Sequence, residues 1–260
     1  MKLYTLVENT TTHPELMAEH GLSLYIETGN TRILFDAGQS TAFAENARSM
    51  GVSLTDVDFV VLSHGHYDHG GGLLPFLEIN KKAPVYIQKH AFQRFRNSKG
   101  KEIGLDSRLE HHPRVMLTEE TLTLAPGITL VSCAHRTGKY PTDCDGMHIC
   151  REDGIVRDDF CHEQYLLLEE KGKKILISGC SHRGILNIMD WFQPDVLIGG
   201  FHFMKQDPEG DMVTAAARKL AEYPTTYYTC HCTGQAQYEA MKEIMGARLE
   251  YLHTGRVLEL

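Results

Sequence analysis

The sequence predicts one α/β domain, and three observations lead there. Short apolar runs of strand length alternate with segments of helical period along nearly the whole chain. Several of those runs are apolar throughout, as strands covered on both faces are. No break in composition over the 260 residues marks a linker, and no internal repeat is found.

Taken in order, residues 3–7 and the alternating stretch 22–28 read as strands. Gly29-Asn30 is a turn signal, with 32–36 as the hairpin partner of the second strand. Residues 40–50 read as a helix closed by Gly51. The apolar run 59–62 is a buried strand, 71–79 turns helical, and 85–87 is a strand after a proline. In the second half, 128–131, 165–168, 174–178, 195–198 and 225–229 are strands. Helices are expected over 185–192, 211–223 and 235–245. A closing hairpin is expected, 248–252 with 256–260, around Thr254-Gly255. The polar stretch 97–159 is expected to be a loop-rich insertion or lid.

Composition narrows the function. The chain is 42% hydrophobic and 23% charged, ordinary for a folded protein. A formal net charge of -8 argues against nucleic acid as a partner, because phosphate binding is driven by Lys and Arg. No apolar run reaches the roughly 18 residues that suggest a membrane span. Met1 to Glu8 carry no long apolar stretch and no small-residue cleavage site, so a cytoplasmic location is expected. The seven Cys suggest no disulfide framework. Cys144 and Cys150, and Cys230 and Cys232, match neither zinc-ribbon nor ferredoxin spacing, and most of the Cys read as small buried thiols. A small-molecule substrate is the expected partner, and a homo-oligomer is left open.

The unusual count is fifteen His. The segment Ser63-His64-Gly65-His66-Tyr67-Asp68-His69-Gly70 follows the buried strand 59–62 directly. Three imidazoles and a carboxylate within six residues have no packing use there, but each is a good ligand for zinc, iron or manganese. His64 and His66 point to one side and can grip one ion, while Asp68 and His69 point toward a second. Other candidates also sit after buried strands, where open α/β folds place their sites. Gly179-Cys180-Ser181-His182 follows 174–178, Gly199-Gly200-Phe201-His202 follows 195–198, and His231 follows 225–229. His202 reads as a ligand, as a hydrogen-bond donor or general acid to substrate, or as a neutral His held by backbone.

The His-x-His-x-Asp-His run after an apolar strand resembles the metallo-β-lactamase superfamily. Leu34-Phe35-Asp36-Ala37-Gly38 fits that superfamily's early strand-turn. The resemblance implies a four-layer αββα sandwich with a metal site at the edge between two sheets, Asp36 orienting a ligand His, and His231 as the last ligand. Glu19-His20-Gly21-Leu22-Ser23, the stretch 62–73, Gly179-Cys180-Ser181-His182-Arg183-Gly184-Ile185, Gly199-Gly200-Phe201-His202-Phe203 and His231-Cys232-Thr233-Gly234 are more narrowly similar to one group. That group is dihydropteroate-synthase-like and typified by a dihydropterin-methyl-ribofuranosyl-aminobenzene-phosphate synthase. Much of the superfamily bridges its metals with an Asp at the Cys180 position. A Cys180 thiolate there would favour a softer ion; alternatively Cys180 is a buried thiol and His182 the ligand, or both ligate. The superfamily's further His, in a turn after the strand at 128–131, has no clear counterpart: His135 is near, without the flanking pattern, and His182 is favoured for that role. His162 and Glu163 are within reach of the site, whereas His111 and His112 read as exposed.

The expected centre is therefore two divalent ions, zinc first and iron, manganese or magnesium as alternatives, on His64, His66, Asp68, His69, Cys180, His182 and His231. Asp68 and His202 are the catalytic candidates, with Arg183 and His202 on substrate, although Arg183 reads equally as a surface salt bridge. A metal-activated water would attack an ester, lactone or phosphoester. Two other readings stand: a pterin-linked transferase in which metals activate a diphosphate leaving group, and a non-catalytic metal- or ligand-binding protein.

Overall fold

A computed structural model describes residues 1–142 and 146–260 of the chain; Cys144 lies outside the described residues. The strands in chain order are β1 Lys2–Val7, β2 Ser23–Thr28, β3 Thr31–Phe35, β4 Phe59–Val61, β5 Val85–Gln88, β6 Arg94–Arg96, β7 Val115–Thr118, β8 Thr121–Ala125 and β9 Ile128–Ser132. They continue as β10 His148–Arg151, β11 Gly154–Arg157, β12 Gln164–Glu170, β13 Lys173–Ile177, β14 Val196–Ile198, β15 Thr226–Thr229, β16 Leu249–Tyr251 and β17 Val257–Glu259. The helices are α1 Ala42–Ser49, α2 Tyr67–Gly70, α3 Leu73–Ile79, α4 Ile185–Phe192, α5 Asp211–Leu220 and α6 Gln235–Met245.

Two seven-stranded mixed sheets form, in the orders β17-β1-β2-β3-β4-β5-β7 and β16-β15-β14-β13-β12-β9-β8. Period-2 alternation decides what each strand gives to which layer. In the first sheet Ile33, Phe35, Phe59 and Val61 face inward and meet Leu130, Leu166, Leu168, Ile175 and Ile177 of the second. The intervening Leu34 and Val60 face outward onto Phe43, Ala47, Leu73 and Phe76 of α1 and α3. On the other side Tyr165, Leu176 and Leu197 pack against Ile188, Val213 and Met241 of α4, α5 and α6. The result is the expected αββα sandwich, with apolar strands buried on both faces as their composition required.

Two expectations change. The C-terminal strands are not a hairpin: β16 pairs parallel with β15 in the second sheet, and β17 pairs antiparallel with β1 in the first. Leu249 belongs to the outer core of one sheet and Leu258 to the core between the sheets. The link between them is held by the first sheet, Thr254 and Gly255 donating to the carbonyls of Thr10 and Thr5 at 2.9 Å each. Gly255 sits at φ +94, and a Cβ there would lie 2.6 Å from the His13 ring. The second change is in 97–159, which carries β7, β8, β10 and β11 besides the expected β9. β7 and β8 are the edges of the two large sheets, and β11 is the edge of a small sheet ordered β11-β10-β6. Strands covered on at most one face lose the burial pattern that marks a strand in sequence; all of β11 is exposed.

Candidate metal centre

β1 and β3 run in one direction because each is antiparallel to β2, and β4 is parallel to β3. β13, β14 and β15 are mutually parallel as well. The loops that follow these strands therefore gather at sheet edges of one polarity, carrying Asn9, Asp36, His64 to His69, Cys180, His182, His202, His231 and Cys232. β12 runs antiparallel to β13, so the residues before it, His162 and Glu163, arrive at the same edge. Asp36, Ser181, His202 and His231 have φ between 48° and 60° although none is glycine. Non-glycine residues in that region cost energy and cluster where a site constrains the backbone.

The hydrogen bonds assign the imidazole protons. The Asp36 carboxylate accepts from Ser63 N and Ser63 Oγ, both at 2.7 Å, and from His69 Nδ1 at 2.6 Å. Ser63 Oγ, having donated to Asp36, accepts from His64 Nδ1 at 2.8 Å. Asn9 Oδ1 accepts from His231 Nδ1 at 2.8 Å, and the same amide donates through Nδ2 to the His231 carbonyl. His64, His69 and His231 each carry a proton on Nδ1, which leaves the Nε2 lone pairs facing inward. The Nε2 atoms of His69 and His231 meet at 3.2 Å, and that of His64 lies 3.2 Å from His182 Nε2. Between His69 and His231 two lone pairs at that distance repel unless a positive charge lies between them, whereas His182, whose Nδ1 has no partner, can donate from Nε2 to His64.

Two kinds of positive charge fit. Burial works against protonating His69, but the Asp36 and Asp68 carboxylates outweigh it and push its pKa up to about 9. A proton is thus held there when no metal ion is bound. Elsewhere burial prevails: it lowers His66 to about 3 and holds His64 and His182 well below the ordinary imidazole range. Those three are neutral donors whose ligand atoms lie within 4.8 Å of one another. His66 Nε2 is buried without a hydrogen-bond partner. A divalent cation satisfies each of these atoms at once, so the donor set fits a metal.

The donors fall into two lobes around Cys180. His64, His66 and His182 form one group. Asp68 Oδ2 lies 3.9 Å from His69 Nε2 and 3.5 Å from His231 Nε2, forming the other. Cys180 Sγ, 3.1 Å from His69 Nε2, belongs to groups with His64 and His69, with His182 and His202, and with His231 and Cys232. The chain thus brings together every residue expected as a ligand.

The other expectations separate. His135 is exposed and faces Glu120 at 3.8 Å, outside the donor groups, while His182 lies within them beside His64 and His66. His111 is exposed and His112 half-buried in a loop. His162 accepts from Gly65 N through Nδ1 and faces Asp158 through Nε2, so both ring nitrogens brace the loop. Glu163 accepts the backbone N–H groups of His182 and Arg183 and the Tyr165 hydroxyl, fixing the loop that carries His182. The Arg183 guanidinium, expected on substrate, donates to the carbonyls of Ala134, Arg136 and Asp159 and lies over Trp191, so it ties loops together. Two donors were missed. Cys232 was read only as a buried thiol, although it directly follows His231 after a strand. His20 Nε2, 3.3 Å from Asp68 Oδ2, lies in the segment Glu19-His20-Gly21-Leu22-Ser23 that carries part of the resemblance, but no ligand role was expected of it.

Gly179 shows how tightly the cluster is built. A Cβ there would lie 2.5 Å from Cβ and Oγ of Ser63, the residue that links Asp36 to His64, and its φ is +63. Gly179→Ala is expected to cost about 2–4 kcal/mol from left-handed strain and overpacking together. It should also weaken metal binding; urea unfolding with and without zinc reads both.

Comparison with known proteins follows this geometry. The model of the metallo-beta-lactamase superfamily matches residues 17–228. An uncharacterised protein of Methanocaldococcus jannaschii is 32% identical over 97% of this chain and 98% of its own. From the same organism, 7,8-dihydropterin-6-methyl-4-(beta-D-ribofuranosyl)-aminobenzene-5'-phosphate synthase is 28% identical over 100% of this chain and 96% of its own. A crystal structure described as a metal-dependent hydrolase of the beta-lactamase superfamily superposes with a TM-score of 0.84 at 29% identity, covering 100% of this chain and 99% of that one.

Proposed function

We propose that this chain, which belongs to the metallo-beta-lactamase superfamily, is a metal-dependent hydrolase acting on an ester, lactone or phosphoester of a small molecule. The observation that carries the reading is the pair of inward Nε2 lone pairs of His69 and His231, 3.2 Å apart and each fixed by a proton on the far nitrogen. His64, His66 and His182 would hold one divalent cation, Asp68, His69 and His231 a second, with Cys180 between them. Zinc suits this set of nitrogen, sulfur and carboxylate donors, ahead of iron, manganese or magnesium. Such ions supply Lewis acidity, bringing the pKa of a coordinated water to about 7 and stabilising charge on a substrate oxygen.

The protein's own residues do the rest. Asp36 and Asn9 fix the ring orientations of His69 and His231, and Ser63 that of His64. Asp68 stands at the wall of a cleft of about 180 Å³ that it shares with His20, His182, His202 and His231. From there it would orient the nucleophile, its ionised carboxylate accepting from the half-exposed His20 at 3.3 Å. His202, its ring 4.2 Å from that of His182, would donate to the leaving group. The full-length likeness to a structure described as a metal-dependent hydrolase supports this reading. Net charge favours a small molecule over nucleic acid as partner, and among the described residues no helix is long and apolar enough to cross a membrane.

The full-length likeness to a pterin-related synthase favours a second reading, transfer of a pterin group to an aromatic amine. A panel of esters, lactones and phosphoesters, each assayed with and without an arylamine, separates the two. Turnover without the amine is expected, and product formed only with the amine would reject hydrolysis.

A further inference from the structure

The metal cluster borders two cavities, and the same two side chains, His182 and His202, stand in the wall of both. The smaller is the cleft of about 180 Å³ that holds the acidic and imidazole donors. The larger, about 400 Å³, lies on the far side of these two rings, between the loops after β13 and β14 and one face of α5. Its size is that of pockets that take small organic ligands. Its walls are the side chains of Ile185, Leu186, Phe201, Phe203, Met212 and Ala216. Tyr140, Thr142, Gln206 and Lys219 also border it, and Lys219 is already paired with Glu222 at 2.6 Å. His202 holds its place at the junction in a left-handed backbone conformation, φ 60, which the fold keeps despite its cost.

We propose that the larger cavity binds the non-reacting body of the substrate, and that this body is apolar: an aryl or branched-alkyl group carried on the ester or phosphoester. The reacting group would lie at the metal donors and the body beyond His182 and His202, so the two rings mark where the molecule crosses from one cavity to the other. A flat polar heterocycle such as a pterin fits these walls poorly. Its ring nitrogens, carbonyl and amino group would be stripped of water against Ile185, Leu186, Phe201 and Phe203, and unpaired polar groups in such a place are penalised heavily. An aryl or branched-alkyl body loses nothing there and gains the burial of the surface it lays against these walls. The location of the reacting group rests on the hydrolase reading; the cavity's preference can be read without turnover.

The test titrates the whole protein with 2-naphthylmethanol and, separately, with 6-methylpterin, by calorimetry, before and after removal of metal. Neither probe has a bond to hydrolyse. The expected result is saturable one-site binding of 2-naphthylmethanol, at least tenfold tighter than the pterin and little altered by metal removal. Ala215 and Met212 border the cavity from the exposed side of α5, so Ala215→Trp and Met212→Trp fill its mouth without disturbing the core. Each should weaken 2-naphthylmethanol tenfold or more. Absence of saturable binding, equal or tighter binding of the pterin, or unchanged affinity in both variants would overturn the proposal. If the hydrolase reading alone is wrong, no ester in the panel turns over while 2-naphthylmethanol still binds.

Discussion

Dialysis against a chelator of divalent cations is expected to bring turnover to the uncatalysed rate and to lower thermal stability by roughly 8–16 °C. The stability figure follows from linkage. A ligand present a thousandfold above its Kd and bound only by the folded chain contributes about 4 kcal/mol. Each kcal/mol is worth about 2–4 °C in a chain of this size. The structural cause is the packing of donors. His64, His66 and His182 are neutral and buried, and His66 Nε2 has no hydrogen-bond partner. Removing the cation leaves buried ring nitrogens of His66 and His182 without a partner, and the proton gained by His69 compensates in the other lobe only. Zinc should rebind more tightly than manganese, and manganese more tightly than magnesium, because Cys180 offers sulfur between the lobes. Metal content by elemental analysis, a thermal scan and the ester assay on the same samples decide it. A fully metal-free protein with unchanged activity and midpoint would sink both the centre and the hydrolase reading.

What could be read from the residues themselves was local. Phe59 to Leu62, and the His-rich segment after it, announce a buried strand followed by a donor loop without any partner being known. The same holds for β13 and β14, whose apolar runs end at Cys180 and His202. What could not be read was long-range. Asn9 and His231 are 222 residues apart, and nothing near either one says that an amide fixes the imidazole's tautomer. The strand character of the C-terminal segments is visible in their alternation, but alternation does not say which sheet a strand joins, and β16 and β17 join different ones. Arg183 stayed open between substrate and a surface salt bridge for a related reason. A cation beside a ligand loop can stabilise charge on a substrate oxygen or pair at the surface, and only the folded chain shows its guanidinium turned to backbone carbonyls.

Asp36→Asn should have the largest effect of any single substitution outside the metal ligands. The residue sits at φ 59, in the left-handed region that Asn tolerates as well as Asp, so the backbone is not what the variant tests. The change falls on three hydrogen bonds. Asp36 accepts from Ser63 N, Ser63 Oγ and His69 Nδ1, all three groups being buried. An amide has one oxygen to accept with, and its NH2 must face a group that also donates. The imidazole of His69 then loses one of its two counter-charges as well, so burial acts on it with less opposition and it holds a proton less readily. Breaking a buried ion pair by removing one partner costs about 3–5 kcal/mol. Because Ser63 passes the orientation on to His64, one carboxylate aligns donors in both lobes, and loss of such a partner lowers metal affinity about 10–100-fold. Urea unfolding gives the first number and zinc competition with a chromophoric chelator the second. Asp158→Asn is the control: Asp158 is a buried carboxylate facing His162, whose ring braces a loop instead of joining a donor group. It should lose stability with a much smaller change in zinc affinity. If Asp36→Asn binds zinc within twofold of the native chain, the ring orientations do not depend on Asp36 and the alignment described here is wrong.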